Sequence, residues 1–134
     1  MKFEIGQTAS VSRAFSQEEV NVFSALSLDD NPIHSDREYA AATPFGRCIV
    51  QGPLVASLIG GVLGSVLPGP GTVYIQQLSR FLKPAFIDEV LTASVQVVSV
   101  RADKPIITLR TWVEKADGEL VIDGEAVVKF APPA

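Results

Sequence analysis

Between Arg47 and Arg80 the chain carries no charged side chain, and this run limits what it can fold into. Its first part, about Pro53 to Leu67, is built of Leu, Val, Ile, Ala, Ser and Gly, with apolar residues at every angle of a helical wheel. A helix apolar all round is a buried helix. It is also shorter than the ~20 apolar residues that span a bilayer, so a core helix is expected rather than a membrane segment. Pro53 suits the first turn, where its missing N–H is no loss, and Pro68-Gly69-Pro70-Gly71 ends the helix. Gly60, Gly61 and Gly64 each cost about 1 kcal/mol relative to alanine. Packing must outweigh that cost. Either a neighbouring strand or helix approaches the backbone closely, or a ligand chain runs past it. The Gly60/Gly64 spacing reports close packing rather than membrane dimerisation in so short a run.

The remaining segments supply what buries this helix. Thr8 to Phe15 alternates weakly and reads as a strand. Ser16-Gln17-Glu18-Glu19 is a capping box, and Val20, Phe23 and Leu26, with Val22 and Ala25, place an apolar stripe on a helix from Gln17 to Ser27. Ser35-Asp36-Arg37-Glu38 repeats the box pattern before a short helix over Arg37 to Ala42. Strands are expected over Gly71–Phe81, Val90–Arg101, Pro105–Lys115 and Glu119–Phe130. Asp117-Gly118 is a hairpin turn and Gly124 reads as a bulge. The order is one strand, helices, then four strands joined by turns. This predicts one α+β domain, a curved antiparallel sheet wrapped on one buried helix.

Composition narrows the function. The chain has 134 residues, 47% hydrophobic and 19% charged, with a mean hydropathy of +0.28. That favours a large core, a buried interface, or both, and an exposed sheet edge would favour an oligomer. A net charge of −4 and a pI near 4.9 argue against nucleic acid as partner. The single Cys48 cannot form an internal disulfide, which fits a reducing compartment, and Met1 to Gly6 has no apolar signal-peptide core, so a cytoplasmic protein is expected. One His and one Cys make no zinc site, and no Walker A, GxSxG or strand-borne GxGxxG pattern is present, so no metal or cofactor is called for. Cys48 reads as a buried thiol rather than a nucleophile.

The one histidine lies in Asp29-Asp30-Asn31-Pro32-Ile33-His34. Imidazole chemistry near neutral pH therefore falls to His34. On a continuous helix, Asp29 and His34 would face apart. Pro32 breaks that geometry and pushes Asn31 toward an extended conformation, so a tight turn can bring the two side chains over one point. A water held between them would be an acid–base site. Asp-Asn-Pro is equally a common turn sequence, with a solvated histidine behind it. Gly52-Pro53 adds a second part. The start of a buried helix offers free N–H groups and a positive dipole end, and Gly52 has no side chain to obstruct its own N–H. It is either a capping glycine or a donor that stabilises an enolate-like oxygen. Together these parts suit addition of water across a carbonyl-conjugated double bond.

Leu26 to Asp36, followed by Ile49-Val50-Gln51-Gly52-Pro53-Leu54-Val55-Ala56-Ser57-Leu58, resembles the MaoC-like hydratases, and most nearly the short (R)-specific enoyl-CoA hydratases of polyhydroxyalkanoate synthesis. The resemblance spans nearly the whole chain, including Leu67-Pro68-Gly69 and Gly124 to Val128, and rests on the D-x-N-P-x-H pattern. It implies a single hot-dog domain over residues 1–134, dimerised side by side into a continuous sheet, acting on an acyl-CoA with no cofactor. It implies that Asp29 and His34 are catalytic, that Asn31 orders the loop, and that the Gly52 N–H binds the thioester oxygen. The reaction implied is reversible syn hydration of a trans-2-enoyl-CoA to an (R)-3-hydroxyacyl-CoA, with Asp29 as base toward the water. Gln51, Pro53, Ser57 and Gly60 join Asn31 as loop-ordering or substrate-binding positions. The chain departs from the family in having Gln51-Gly52 where His-Gly is common, and Asp88-Glu89 where Gly-Asp is usual. Gly60 stands where some relatives carry a larger residue. Arg37, Arg80, Lys83, Arg101 and Lys104 are either contacts for the CoA phosphates or solvated surface charges.

Two other functions fit a chain of this kind. A hot-dog thioesterase would use a carboxylate to drive hydrolysis without needing the Asp–His pair in one loop. A non-catalytic acyl-thioester binding protein would keep Gly52 but need neither Asp29 nor His34, and their joint presence argues against it.

Overall fold

Five strands and three helices follow the expected order in the computed structural model, which describes residues 3–134; Met1 and Lys2, the start of the segment read as leader-free, lie outside the described residues. The elements are β1 (Thr8–Arg13), α1 (Gln17–Ser27), a 3-10 turn (Pro32–His34), α2 (Arg37–Ala41), α3 (Gly52–Ser65), β2 (Thr72–Phe81), β3 (Leu91–Val100), β4 (Ile106–Lys115) and β5 (Leu120–Phe130). All pairings are antiparallel in one sheet of order β1-β3-β4-β5-β2. The sheet carries α3 on one face, so the α+β hot-dog arrangement is confirmed. Ile59 and Leu63 of α3 pack in one cluster with Leu91 and Val95 of β3, Leu109 of β4 and Ile122 and Val128 of β5. β4 alternates as its sequence requires, with Ile107, Leu109, Thr111 and Val113 buried.

Several expectations need correction. Only β3–β4 and β4–β5 are hairpins. β2 pairs with β5 and β3 with β1, so residues 82–90 carry the chain from the β2 edge across to β3, one strand in from the opposite edge, instead of turning. Gly124 is no bulge: the register breaks lie at Tyr74/Gln76, Val97/Ser99 and Val113/Glu114. A Cβ at Gly124 would collide with the Leu78 carbonyl oxygen, so this glycine lets the β2 backbone approach. The cap of α2 sits one residue later than expected, with the Asp36 side chain accepting from the Tyr39 N–H, 3.1 Å.

The helices are also less buried than their sequences suggest. In α1 only Val20 is buried, while Leu26 is 78% exposed. In α3 Val55, Leu58, Ile59, Val62 and Leu63 are buried, but Pro53, Ser57, Gly61 and Gly64 lie on an open face. Of the three glycines only Gly60 meets a neighbour, the Tyr74 ring at 3.6 Å from where its Cβ would stand. No helix of the described residues is long and apolar enough to cross a membrane.

Candidate active site

The capping box at Ser16 and Glu19 starts α1, and Leu28 in a left-handed conformation ends it. That reversal places Asp29 outside the helix, where three short-range bonds fix the following turn. The Asp29 N–H donates to Ser27 Oγ, the Asn31 N–H to Asp29 Oδ1, and the Ile33 N–H to Asn31 Oδ1, each at 3.2 Å. Asn31 is thereby the N-cap of the 3-10 turn that Pro32 opens and His34 closes. The turn does what its sequence allowed: Asp29 Oδ2 stands 3.4 Å from His34 Nε2.

Long-range bonds then orient the imidazole. His34 Nδ1 lies 2.8 Å from the Ile49 carbonyl oxygen. A carbonyl only accepts, so Nδ1 carries a proton. In the neutral ring Nε2 is then an acceptor, and it faces a carboxylate oxygen that is also an acceptor. Two acceptors at this distance can share one donor, and a water beside them that bonds to both supplies it. The His34 side chain is 9% exposed and Asp29 39%, so the imidazole is held while the carboxylate meets solvent. Gln17 Nε2 donates to the His34 carbonyl, 2.8 Å, and fixes the backbone from behind. Sequence reasoning gave no role to Gln17 or Ile49, since nothing local to either residue marks a partner 17 or 15 positions away.

The second part of the site starts three residues past Ile49. Gln51 is the N-cap of α3, and Gly52 is its first residue. The Gly52 N–H is therefore among the amides with no acceptor inside the helix. Gly52 lines a cavity of about 330 Å³ whose walls also include Phe45, Ile49, Val55, Phe81, Pro84 and Ala85, with Lys83 as the one charged residue. A Cβ at Gly52 would come within 2.9 Å of Phe81 Cε1, so a glycine fits and a larger residue displaces the ring. Phe81, absent from the candidate list, is the side chain that covers this position. Asp29 and His34 do not line this cavity in the single chain. They reach it through Ile49, whose carbonyl holds His34 and whose side chain forms part of the wall.

The other candidates fall around these two parts. Gln51 is fully buried, and its Nε2 donates to the Val20 carbonyl and to Ser24 Oγ, both at 2.9 Å, which ties the start of α3 to α1. Its Oε1 is buried with no partner. Pro53 is exposed, and the Ser57 hydroxyl donates to the Leu54 carbonyl of its own helix, 2.6 Å. Gly60 lies against Tyr74, whose phenol is pushed up from its usual range by burial. The Asp88-Glu89 departure is accommodated in the crossover. Asp88 takes a left-handed conformation, φ 65°, and its N–H donates to the Phe15 carbonyl. Glu89 Oε1 accepts from the Phe86 N–H at 3.1 Å and pairs with Lys115 at 3.3 Å.

Residues 2–118 match the family model described as a MaoC like domain. The chain is 48% identical over 127 residues to the (R)-specific enoyl-CoA hydratase of Aeromonas caviae, covering 95% of each. It is 39% identical over 126 residues to the 3-hydroxybutyryl-CoA dehydratase of Methylorubrum extorquens, covering 94% of this chain and 80% of that one. Among solved structures it is similar to the A. caviae (R)-hydratase involved in PHA biosynthesis, with 47% identity, a TM-score of 0.93 and 98% of both chains covered. It is similar also to R-hydratase PhaJ1 of Pseudomonas aeruginosa, with 36% identity, a TM-score of 0.91, and 98% of this chain and 84% of that one covered.

Proposed function

The chain belongs to the MaoC-like domain family, and from that premise we propose that it is an (R)-specific enoyl-CoA hydratase that adds water reversibly to trans-2-enoyl-CoA. The observation that carries the reading is the Asp29–His34 pair, 3.4 Å apart, with the imidazole tautomer set by the Ile49 carbonyl. A water bonded to both Asp29 Oδ2 and His34 Nε2 from beside them gives its proton to the pair as its oxygen bonds to C3. The π electrons move toward the thioester carbonyl, and the Gly52 N–H at the positive end of α3 receives the developing oxyanion. A proton from the pair then closes C2, so the net change is one water added. Because both atoms come from one side, addition is syn. Run backwards, the same steps dehydrate a 3-hydroxyacyl thioester, as the name of the M. extorquens relative describes.

The 330 Å³ cavity beside Gly52, apolar except for Lys83, suits the slender arm of an acyl thioester and supports acyl-CoA as substrate. The whole chain, residues 1–134, is one such domain. Its product would be an (R)-3-hydroxyacyl-CoA, and the likeness to an A. caviae enzyme of PHA biosynthesis points to that use. Two copies pair through β2. This edge strand runs ten residues and leaves Val73, Ile75, Leu78 and Phe81 exposed, an edge that would invite aggregation unless paired. The lone Cys48 supports placing the protein in the cytoplasm.

The test is loss of the conjugated absorbance of crotonyl-CoA with wild type, Asp29→Asn and His34→Ala. Wild type is active, and each variant falls by about 10²–10⁴ with its fold retained. Thiol release from the substrate in place of hydration would turn the reading to a thioesterase. Light scattering reads the assembly: wild type is a dimer, and Ile75→Lys shifts it toward monomer.

A further inference from the structure

We propose that a second cavity, between α2 and residues 46–48, binds the nucleotide phosphates of coenzyme A, with Arg37 and Arg47 as the phosphate contacts; this rests on the acyl-CoA reading above. The cavity is about 370 Å³ and is lined by Gln17, Arg37, Gly46, Arg47, Cys48 and Ile87. Its charge is uncompensated. Arg13, Arg101 and Arg110 pair with Glu19, Asp103 and Asp123. Among the described residues, neither Arg37 nor Arg47 has a carboxylate within ion-pair distance, although acidic residues outnumber basic ones 15 to 11. The carboxylate next to Arg37, Asp36, is engaged in capping α2. Two guanidiniums left together on one cavity of an acidic chain make a positive site, and their forked donors match phosphate oxygens.

Position supports the same ligand. Arg47 is held in place by stacking, with Cζ 3.9 Å from the Phe86 ring centroid, which leaves the N–H edge of its guanidinium free. Residues 45–49 divide the two cavities: Phe45 and Ile49 face the Gly52 side, while Gly46, Arg47 and Cys48 face this one. With its thioester oxygen on Gly52, coenzyme A is too large to fit wholly in about 330 Å³, so its nucleotide end must leave that cavity. Arg47 belongs to the segment that separates the two cavities, and Arg37 lines the second with it. Gln17, on the wall of the second cavity, is bonded to the His34 carbonyl, so this cavity borders the reacting loop.

The experiment compares hydration of crotonyl-CoA, crotonyl-4′-phosphopantetheine and crotonyl-pantetheine by wild type, Arg37→Glu and Arg47→Gln, together with calorimetric binding of free CoA. The expected result is a KM for crotonyl-CoA raised about tenfold, the loss of one charge-assisted contact. The kcat stays within twofold, KM for the two shorter thioesters is unchanged, and CoA binding weakens by the same factor. Unchanged KM for crotonyl-CoA in Arg37→Glu overturns the proposal. So does an equal loss on crotonyl-phosphopantetheine, which would assign the contact to the arm's phosphate. If wild type fails to hydrate but binds CoA in a manner dependent on Arg37, the hydratase reading falls and the phosphate site stands. If it does neither, both fall.

Discussion

The Asp29–His34 turn and the start of α3 both supply groups to the proposed reaction, but they are held in different ways. The turn is made by its own residues: Ser27, Asp29, Asn31 and Ile33 bond to one another over two positions at a time. The start of α3 is held from a distance. Gln51 reaches Val20 and Ser24, 31 and 27 residues away, and Phe81 closes over Gly52 from β2. A locally bonded turn brings two side chains together wherever it is placed in a fold. A helix start offers a free N–H to a substrate only if the rest of the protein leaves space there. His34 joins the two, since its ring is carried by the turn and oriented by Ile49.

If the second part depends on distant packing, small changes there should cost activity out of proportion to stability. Gly52→Ala sets a Cβ 2.9 Å from the Phe81 ring, a side chain rather than backbone, so stability falls by only about 1 kcal/mol. Hydration of crotonyl-CoA should fall about 100-fold, on the scale of losing one oxyanion donor. Gly52→Ala with Phe81→Leu should recover part of it, and no recovery would remove Phe81 from the account. Gln51→Leu comes next. It removes one buried and one part-buried bond and also an unpartnered acceptor, so we expect a loss of about 1 kcal/mol, a fall in Tm of about 4 °C, and a smaller loss of activity. A Tm unchanged by this variant would show that Gln51 does not couple α1 to α3.

The loop departures carry smaller effects. Asp88→Gly relieves a left-handed conformation and should stabilise by about 0.5 kcal/mol, after the entropy glycine adds to the unfolded chain. Calorimetry would read a higher Tm with activity unchanged. Glu19→Gln is the mildest and tests the locally bonded side of the comparison. The Ser16 N–H, and next the Arg13 guanidinium, hold the Glu19 carboxyl below the usual carboxylate range. A lowered folded value means the stabilisation is present above the unfolded pKa and lost as pH falls through the folded one. The Tm curves of wild type and variant should therefore separate above about pH 5 and converge in acid.

The sequence alone determined whatever local chemistry specifies. The capping box at Ser16, the breaker run after the apolar helix, the alternation of Ile107 to Val113 and the Asp117-Gly118 turn each act within a few residues, and each element formed where its residues required. The path of the Asp29-to-His34 turn belongs with them, because Pro32 and Asn31 set it locally, while Gln17 and Ile49 then hold His34 in place. Tertiary structure decided which apolar residues are covered and what faces the reactive groups. Leu26 and Gly61 look as buried in sequence as Val20 and Val62, yet one pair is open and the other enclosed. Strand order escaped as well, since β2 has the same β-forming pattern whether it pairs with β3 or crosses to β5. Burial, pairing and orientation depend on partners far along the chain, and a residue's own type says only what it can bond to, not what will be there.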